Sequence, residues 1–363
     1  MLKDTEAFST QMTGRPITPL CAEAQETLRR RGFTPVTTLG SDDGPLHMRR
    51  RRSLMELFTP AHLERWAPRI REVVGGYIDR FAGNGSAELV SELFWEAPAV
   101  VALEFMGVPE HEVQLAKQFA AGIMNFKFGR PSEREQVATC ELMGDNQDYA
   151  RGLLERIKRD PSGEAFLHVL VRAWREEPEA FDDSFLLGLA TTTVAAAHET
   201  TSHAQANSIL LLLRRRERWE ALCRNPQLIP AAVEESLRLG PSLTALQRLC
   251  IKDSVVGDVT IPAGAKVLLS IVSGNADDDA FAHATEFEPG RRNVRRHLAF
   301  GSGPHVCLGA GLARVQMRVV LEELTRRLPH LRLTPGVPIT YQPSASPHGP
   351  RELWVEWDPN DNP

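Results

Sequence analysis

The length, composition and charge of the chain exclude several classes of protein. With 363 residues, 42% of them hydrophobic, the chain can bury a large core, which indicates a folded globular protein. Its formal charge of −5, spread over 25% charged residues, gives no general attraction for nucleic acid or for an anionic membrane. The N-terminus lacks a signal-peptide pattern and no stretch reaches the ~20 uninterrupted apolar residues of a spanning helix, so we expect a cytoplasmic protein without a membrane anchor.

Most of the chain is predicted to be helical. Residues 10–44 are expected to form a variable loop, whereas from about 45 to 240 apolar residues recur at helical spacing, with Pro and Gly at the breaks. The longest helix is predicted over 178–213, where nearly every face is apolar, which requires burial through the core. An amphipathic helix is predicted over 308–328.

Short strands are predicted in two C-terminal regions. Runs of β-branched residues separated by turn residues occupy 243–272 and 330–357. We therefore expect a mainly α fold with minor β, organised as a single domain over residues 1–363.

The segment "HLAFGSGPHVCLG" places one thiol, Cys307, in a constrained loop just before a predicted helix. Gly301 and Gly303 suit backbone angles with φ > 0, and Gly309 permits close approach at the helix start. The N–H groups and dipole of a helix N-terminus favour a thiolate, which is the form that binds a metal. The five cysteines form no CxxC pair, so an important thiol acts singly; the alternative is that Cys307 is a small buried hydrophobe.

Read as FxxGxHxCxG, the loop residues Phe300, Gly303, His305, Cys307 and Gly309 resemble the haem-binding loop of the cytochrome P450 family. The resemblance implies a cytochrome P450 fold with a long central helix over the haem, and Cys307 as the proximal iron ligand of haem b. It assigns the other contacts of this loop with the porphyrin to Phe300, Gly301, Leu308 and Gly309.

The motif "AAHETT" lies in the middle of the longest predicted helix. Its adjacent threonines have low helix propensity, and their hydroxyls tend to bond back to carbonyls and loosen the helix. The resemblance makes Glu199 and Thr200 the acid and alcohol that deliver protons to dioxygen over the haem, and it places Ala197 where the family usually has Gly. Ala195 and Ala196 fit a helix face against a planar cofactor, with tight helix packing as the alternative.

The sequence "VEESLRLGP" places Glu235 and Arg238 on one helix face, three residues apart. Alone, this spacing is typical of a surface salt bridge worth ~0–1 kcal/mol. Together with Arg291 of "FEPGRR", it resembles the family's buried ExxR network. In that case the three residues are structural, and loss of one partner costs ~3–5 kcal/mol.

Cationic side chains suit the two propionates of haem, because Arg and His donate hydrogen bonds to carboxylates. The resemblance nominates four of them, with His297 as a weaker and possibly structural candidate. The four are His47, Arg51, Arg248 and His305. Any single arginine of "RRRR", residues 49–52, has solvation on a helix face as its alternative explanation.

The resemblance implies a bacterial-type monooxygenase that inserts one oxygen atom from O2 into a small organic substrate, in secondary metabolism. It also implies electrons from NAD(P)H through an external ferredoxin and ferredoxin reductase, for which arginines 49–52 are a candidate docking surface. Two alternatives remain open: a haem-binding recruitment module or degenerate relative without turnover, and a thiolate-haem enzyme that uses peroxide or couples rings.

The resemblance is incomplete at the start of the chain. Family members usually carry an early helix and the first strands of the main sheet before the "HxxxR" helix, so we expect a truncated or a naturally abbreviated member. We expect substrate contacts from four segments, whose small apolar and hydroxyl residues suggest a mostly apolar pocket. These segments are 10–44, 191–197, 241–246 and 343–347.

Overall fold

A computed structural model describes residues 1–33, 37–119, 122–341 and 343–361. Fourteen α-helices occupy about half of these residues. They are α1 (Ala22–Arg30), α2 (Gly44–Leu54), α3 (Pro60–Glu64), α4 (Ala67–Asp79), α5 (Ala97–Met106), α6 (Val113–Gln118), α7 (Ile123–Phe128), α8 (Glu133–Arg159), α9 (Phe166–Glu176), α10 (Asp183–Leu213), α11 (Arg216–Arg224), α12 (Ile229–Leu239), α13 (Ile271–Asn275) and α14 (Ala310–Arg327).

Eight short strands form three antiparallel sheets. They are β1 (Phe8–Ser9), β2 (Ser86–Glu88), β3 (Ala245–Cys250), β4 (Ser254–Val256), β5 (Val259–Ile261), β6 (Lys266–Ser270), β7 (Arg332–Leu333) and β8 (Trp354–Glu356). The sheet orders are β1-β3-β6, β2-β8-β7 and β4-β5. The prediction of a mainly helical chain with small sheets is therefore confirmed.

Helix α10 runs through the centre of the helical part and packs against α5, α8, α12 and α14. It begins at Asp183 rather than at residue 178, because Asp182 adopts an extended N-cap conformation and its carboxylate accepts a 2.8 Å hydrogen bond from the Phe185 N–H. The helix is continuous to Leu213. The expected back-bonding is present, and the Thr200 hydroxyl donates to the Ala196 carbonyl over 2.6 Å.

One large apolar cluster connects α4, α5, α9, α10, α12 and α14, and it contains the fully buried Trp219 and Phe181. Burial of such aromatic side chains contributes ~1.5–3 kcal/mol each. Among the residues that the structure describes, no helix combines the length and the apolar character needed to cross a membrane. The core thus holds α10 and α14 as a rigid frame for the loop that precedes α14.

The expectation of a loop over residues 10–44 is wrong in part. Ala22–Arg30 form α1, whose N-terminus is capped by the Cys21 thiol, 3.4 Å from the Ala24 N–H, and which packs on α8. The sequence reasoning also missed β1 and β2, because strands of two or three residues are too short to show an alternating pattern. Residues 34–36 of the predicted loop lie outside the described residues.

Candidate functional site

The cysteine loop has the backbone that its glycines predicted. Gly301 and Gly303 have φ of 71° and 77°, and a single 3-10 turn covers Gly303–His305. The Cys307 N–H donates to the Phe300 carbonyl over 2.8 Å, which closes the loop. A Cβ at Gly303 would lie 2.8 Å from the backbone oxygen of Leu2, so a larger residue would displace the chain there.

Cys307 lies in a crevice at the start of α14, whose N-cap is Gly309. Cys307 is exposed to solvent. Many protein atoms nevertheless lie around its sulfur, and the loss of solvation that they cause raises the pKa of the thiol. The N–H groups of Gly309 and Ala310 and the charge of Arg51 oppose that rise, because each stabilises the thiolate. The site therefore contains two backbone donors and two arginines, Arg51 and Arg314, that stabilise an anionic sulfur.

The middle of α10 exposes a short stretch between buried neighbours. Ala196 is exposed, whereas Ala195 and His198 are buried, and the Thr200 side chain carries its hydroxyl back to the Ala196 carbonyl. The two explanations for the alanine pair thus separate: Ala196 is exposed, and Ala195 belongs to the packed core. The expectation that Ala195 faces a cofactor is wrong, because its methyl group is covered by core side chains.

Glu199 sits beside Thr200 and faces a small pocket. Its Oε1 is 3.6 Å from the Nε2 of His203, one helical turn further along α10. The pocket is closed by α7 and by the segment before β8. Its lining residues are Met124, Asn125, Glu199, His203, Ser344, Pro347 and Gly349.

A group of nitrogen donors lies at another edge of the crevice. The rings of His47 and His305 stack with centroids 4.2 Å apart, and Arg248 is 5% exposed. Burial lowers the pKa of His47 to about 4, so His47 is neutral at pH 7. The His47 Nε2, the His305 Nδ1 and the Arg248 Nε are buried and lack a well-formed hydrogen bond among the described residues. Buried donors normally have partners, so the Arg248 Nε, and the His47 Nε2 when it carries the ring proton, indicate an acceptor that binds beside them.

Asp43, which sequence reasoning missed, holds this group in place. Its carboxylate accepts hydrogen bonds from the Ser9 hydroxyl (2.5 Å), the Thr10 N–H (3.0 Å) and the His305 Nε2 (3.0 Å). Burial raises the pKa of Asp43, but these hydrogen bonds outweigh that effect and lower it overall. Asp43 is thus ionised and fixes which nitrogen of His305 carries a proton. Asp43 belongs to no motif, so only the folded chain reveals its role.

The four arginines at 49–52 do not form one cationic surface, and the prediction that they form a docking surface is wrong. Arg49 pairs with Glu177 and Glu179, and Arg50 is buried, where it donates to the Ala180 carbonyl and pairs with Asp42. Arg51 lies close enough to Cys307 for their charges to interact. Successive residues of a helix point in different directions, so the four arginine side chains lie in four different environments.

The ExxR residues form the buried network that the family resemblance implied, and not the surface pair that is typical of the spacing alone. Arg238 donates two hydrogen bonds to Glu235, at 2.8 and 2.6 Å, and both side chains are fully buried. Arg291 Nε lies 3.3 Å from the same carboxylate, and the Glu288 N–H donates to it at 2.9 Å. Arg238 also donates to three backbone carbonyls, those of Asn275, Ala284 and Glu286. The network therefore ties α12 to the irregular segment that precedes the cysteine loop.

A second buried carboxylate, that of Glu234, supports the cysteine loop directly. It accepts hydrogen bonds from His297 Nε2 (3.1 Å) and from Arg314 of α14 (2.6 and 3.1 Å), and Arg314 lies over the Phe300 ring. His297 thus contacts Glu234, in agreement with its possible structural role. Burial raises the pKa of Glu234, but the bonds from His297 and Arg314 and the charge of Arg314 lower it to about 2.

This depressed pKa predicts an acid-sensitive contribution to stability. The stabilisation is fully present above about 4.5, the ordinary pKa of the carboxyl group, and disappears as pH falls towards about 2. Glu234→Gln should lower the free energy of unfolding at pH 7 by about 3 kcal/mol, and the gap to the native protein should shrink below pH 4.5. Urea denaturation of both proteins from pH 7 to pH 3 measures this gap; Glu26→Gln, at an exposed side chain, is the control. A gap independent of pH would contradict the assignment.

Comparisons with known proteins agree with this geometry. A family model described as Cytochrome P450 matches residues 140–343, which is more than half of the chain. The chain belongs to the cytochrome P450 family. It is 33% identical to Nocardicin C N-oxygenase of Nocardia uniformis subsp. tsuyamanensis, over 98% of this chain and 86% of that relative. It is also 33% identical to the cytochrome P450 monooxygenase PikC of Streptomyces venezuelae, over 90% of this chain and 80% of PikC.

Solved P450 structures share the fold along the whole chain. The haem domain of a Tepidiphilus thermophilus P450 superposes with a TM-score of 0.97 at 37% identity, covering 100% of this chain and 87% of that one. An intact type IV self-sufficient cytochrome P450 monooxygenase gives a TM-score of 0.98 at 41% identity. The chain spans only 47% of that longer protein. The predicted P450 fold is therefore confirmed.

The residues present fit the haem of this family. A thiol in a crevice, with backbone N–H groups directed at its sulfur, suits a thiolate ligand of iron. The buried Arg248 Nε and His47 Nε2, which lack a hydrogen bond among the described residues, suit the carboxylates of a propionate-bearing ring. Ala196 on α10 is exposed and presents only a small methyl group.

Proposed function

We propose that this P450 is a haem-thiolate monooxygenase, with residues 1–363 as a single haem domain, that inserts one oxygen atom from O2 into a small organic substrate. The observation that carries the proposal is the Cys307 thiol at the start of α14, with the N–H groups of Gly309 and Ala310 at its sulfur and the buried, unpaired Arg248 Nε and His47 Nε2 among the described residues. Relatives named for nocardicin C and for mycinamicin IV support a role in bacterial secondary metabolism.

Cys307 is the proposed iron ligand, and four cationic or histidine side chains are the proposed propionate partners. These four are His47, Arg51, Arg248 and His305. When bound, haem supplies the binding and reductive activation of O2, and a thiolate ligand favours O–O cleavage. The chain contributes the shape of the loop, with Phe300, Gly301, Leu308 and Gly309 beside the ring.

Thr200 and Glu199 are the proposed proton donors on the opposite side. The Thr200 hydroxyl donates to Ala196 at rest, so its oxygen remains free to accept a hydrogen bond, and it can relay a proton by taking one up as it gives its own away. The Glu199 carboxyl can exchange a proton with His203, 3.6 Å away, and pass it towards Thr200. The methyl group of Ala197 narrows the space beside this pair.

Electrons come, in this proposal, from NAD(P)H through an external ferredoxin and ferredoxin reductase. Since arginines 49–52 are dispersed, another cationic surface must receive an acidic partner. Arg292, Arg295 and Arg296 are exposed and lie in the segment just before His297, which anchors the cysteine loop. Such exposed like charges accelerate association with an acidic protein.

Replacement of Thr200 by alanine tests the proton-delivery step. With NADPH and a surrogate ferredoxin system, we expect Thr200→Ala to reduce product formation about 100-fold, because positioned proton transfer contributes roughly 10²–10⁴ to a rate. NADPH consumption should fall less than product formation, since electron supply is not altered. The readout is product formed per NADPH oxidised across a substrate panel.

Thr192→Ala is the matched control, because Thr192 makes the same type of bond, to the Gly188 carbonyl at 2.6 Å, away from Glu199. Equal product yields for the native protein and Thr200→Ala would contradict the proposed role. Haem binding without turnover of any substrate would favour the recruitment module. Product formed from hydrogen peroxide without NADPH would favour the peroxide-using alternative.

A further inference from the structure

Two free thiols, those of Cys21 and Cys140, lie where α1 packs on α8. Cys21 is the N-cap of α1 and is partly accessible, whereas Cys140 lies in α8 and is fully buried. Cys140 forms a small apolar cluster with Ala24 of α1 and Phe126 of α7, and Cys21 packs against this cluster. The proposed reaction uses neither thiol.

Contacts on both sides of Cys140 show how α1 lies along α8. The Cys21 N–H donates to the side-chain oxygen of Gln136 at 2.8 Å, one helical turn before Cys140. One turn after Cys140, a Cβ on Gly144 would lie 2.7 Å from the guanidinium carbon of Arg31 at the end of α1. Residues four apart share one face of a helix, so the face of α8 that carries Cys140 is the face that meets α1.

The two thiols differ in their access to solutes. Burial raises the pKa of the Cys140 thiol to about 11, and the nearby charge of Cys21 adds to this rise, so Cys140 is protonated at pH 7. The Cys21 sulfur accepts a hydrogen bond from the Ala24 N–H at 3.4 Å, which holds it at the partly accessible end of α1. A small solute can therefore meet Cys21 first, while Cys140 waits beneath it as a second, protected thiol.

From this arrangement we propose that Cys21 and Cys140 are a peroxide-sensitive thiol pair that forms a disulfide between α1 and α8. The pair is a modification site separate from the Cys307 crevice. It goes beyond the proposed monooxygenase activity and does not depend on it.

The reaction balances with hydrogen peroxide as the oxidant. The Cys21 sulfur attacks one peroxide oxygen, the O–O bond breaks and one water leaves, so that Cys21 becomes a sulfenic acid. The Cys140 sulfur then attacks the Cys21 sulfur, the S–O bond breaks, and hydroxide leaves with the Cys140 proton as a second water. The two thiols thus lose two electrons and two protons, and the peroxide is reduced to two waters.

The disulfide changes how α1 is held on α8. In the reduced protein the C-terminal end of α1 is held by ion pairs: Arg30 pairs with Glu141, and Arg31 lies 2.7 Å from Asp145 and 3.1 Å from Asp148. These side chains are partly exposed, so salt weakens their attraction. A covalent bond is not weakened by salt, and the oxidised protein should therefore keep α1 docked where the reduced protein releases it.

Helix α8 also connects this pair to the helix of the proposed reaction. The Asn146 side-chain amide donates to the Thr191 carbonyl of α10 at 2.9 Å. A disulfide at Cys140 consequently fixes α1 to a helix that contacts α10, the element that carries Glu199 and Thr200.

The test treats the haem-loaded protein with hydrogen peroxide, blocks the remaining thiols with N-ethylmaleimide and maps the tryptic peptides by mass spectrometry without reduction. We expect peptides 4–29 and 135–151 to be cross-linked, two of the five thiols to be lost, and dithiothreitol to restore both. In about 1 M NaCl, tryptic cleavage after Arg29 and Arg30 should be about 10-fold slower in the oxidised protein than in the reduced protein.

Cys21→Ser and Cys140→Ala should each abolish the cross-link, and serine at residue 21 keeps an oxygen cap on α1, so that variant should remain folded. Cys223→Ser is the matched control, because Cys223 is also partly accessible and should leave the cross-link unchanged. Unmodified thiols, oxidation of Cys21 to a sulfinic acid without a cross-link, or a cross-link between other cysteines would each overturn the proposal. The spectrum of the reduced, carbon-monoxide-bound protein, recorded before oxidation, reports separately on the proposed haem-thiolate function.

Discussion

Replacing Cys307 with serine is expected to eliminate the thiolate-specific absorption of the reduced, carbon-monoxide-bound protein and to reduce substrate oxidation to background. Serine is similar in size to cysteine and should leave the loop backbone unchanged, including the 2.8 Å hydrogen bond from the N–H of residue 307 to the Phe300 carbonyl. It removes the sulfur, and an alcohol has a far higher pKa than a thiol, so the N–H groups of Gly309 and Ala310 cannot stabilise its anion at pH 7. The electron donation that favours O–O cleavage is lost with the thiolate.

Cys223→Ser is the matched control for this substitution. Cys223 is half-buried, and its thiol contacts the Pro329 carbonyl at 3.8 Å, outside the crevice. We expect its spectrum and turnover to equal those of the native protein. Haem content measured for both variants separates loss of the ligand from loss of the fold. An unchanged spectrum in Cys307→Ser would reject Cys307 as the iron ligand.

The elements that the sequence predicted are those with long or distinctive patterns. The helix of residues 183–213 was expected from its apolar faces, and the helix of 310–327 was expected to within two residues at its start. The positive φ angles of Gly301 and Gly303 followed from residue type, because glycine is the residue that adopts them without strain.

The parts that the sequence did not reveal depend on contacts between distant segments. Asp43 and His305 are 262 residues apart, and Glu234 and Arg314 are 80 residues apart, so no local spacing connects them. The prediction of a docking surface from "RRRR" was wrong for a related reason. The four charges are equivalent in the sequence, and only the folded chain gives each arginine a different partner.

Asn275 is a further residue whose role is visible only in the folded chain. It is buried and connects two segments that support the candidate site. Its side-chain amide donates to the Arg238 carbonyl at 3.0 Å, and its oxygen accepts from the Leu298 N–H at 2.7 Å. It thus connects the ExxR helix to the start of the cysteine loop, which makes that network part of the haem site's support.

Disruption of the ExxR network is expected to give the largest loss of stability. All five N–H donors of Arg238 are used, two on Glu235 and three on backbone carbonyls. Arg238→Met would leave the Glu235 charge buried with only Arg291 as an ion-pair partner, at a cost of ~3–5 kcal/mol in the free energy of unfolding. Arg238→Lys should also be strongly destabilising, because lysine offers three donors from a single point and cannot replace the planar fork.

Urea denaturation followed by tryptophan fluorescence, with haem retention recorded in parallel, measures these losses. Arg29→Met is the matched control: Arg29 pairs with Glu26 at the surface, where an ion pair contributes only ~0–1 kcal/mol. The double variant Arg238→Met/Glu235→Leu should lose less than the sum of its single variants, because it removes the buried charge together with its partner. Two results would contradict this role: a decrease of less than about 1 kcal/mol in the free energy of unfolding for Arg238→Met, or strict additivity in the double variant. Support of the cysteine loop would then rest on Glu234 and Arg314.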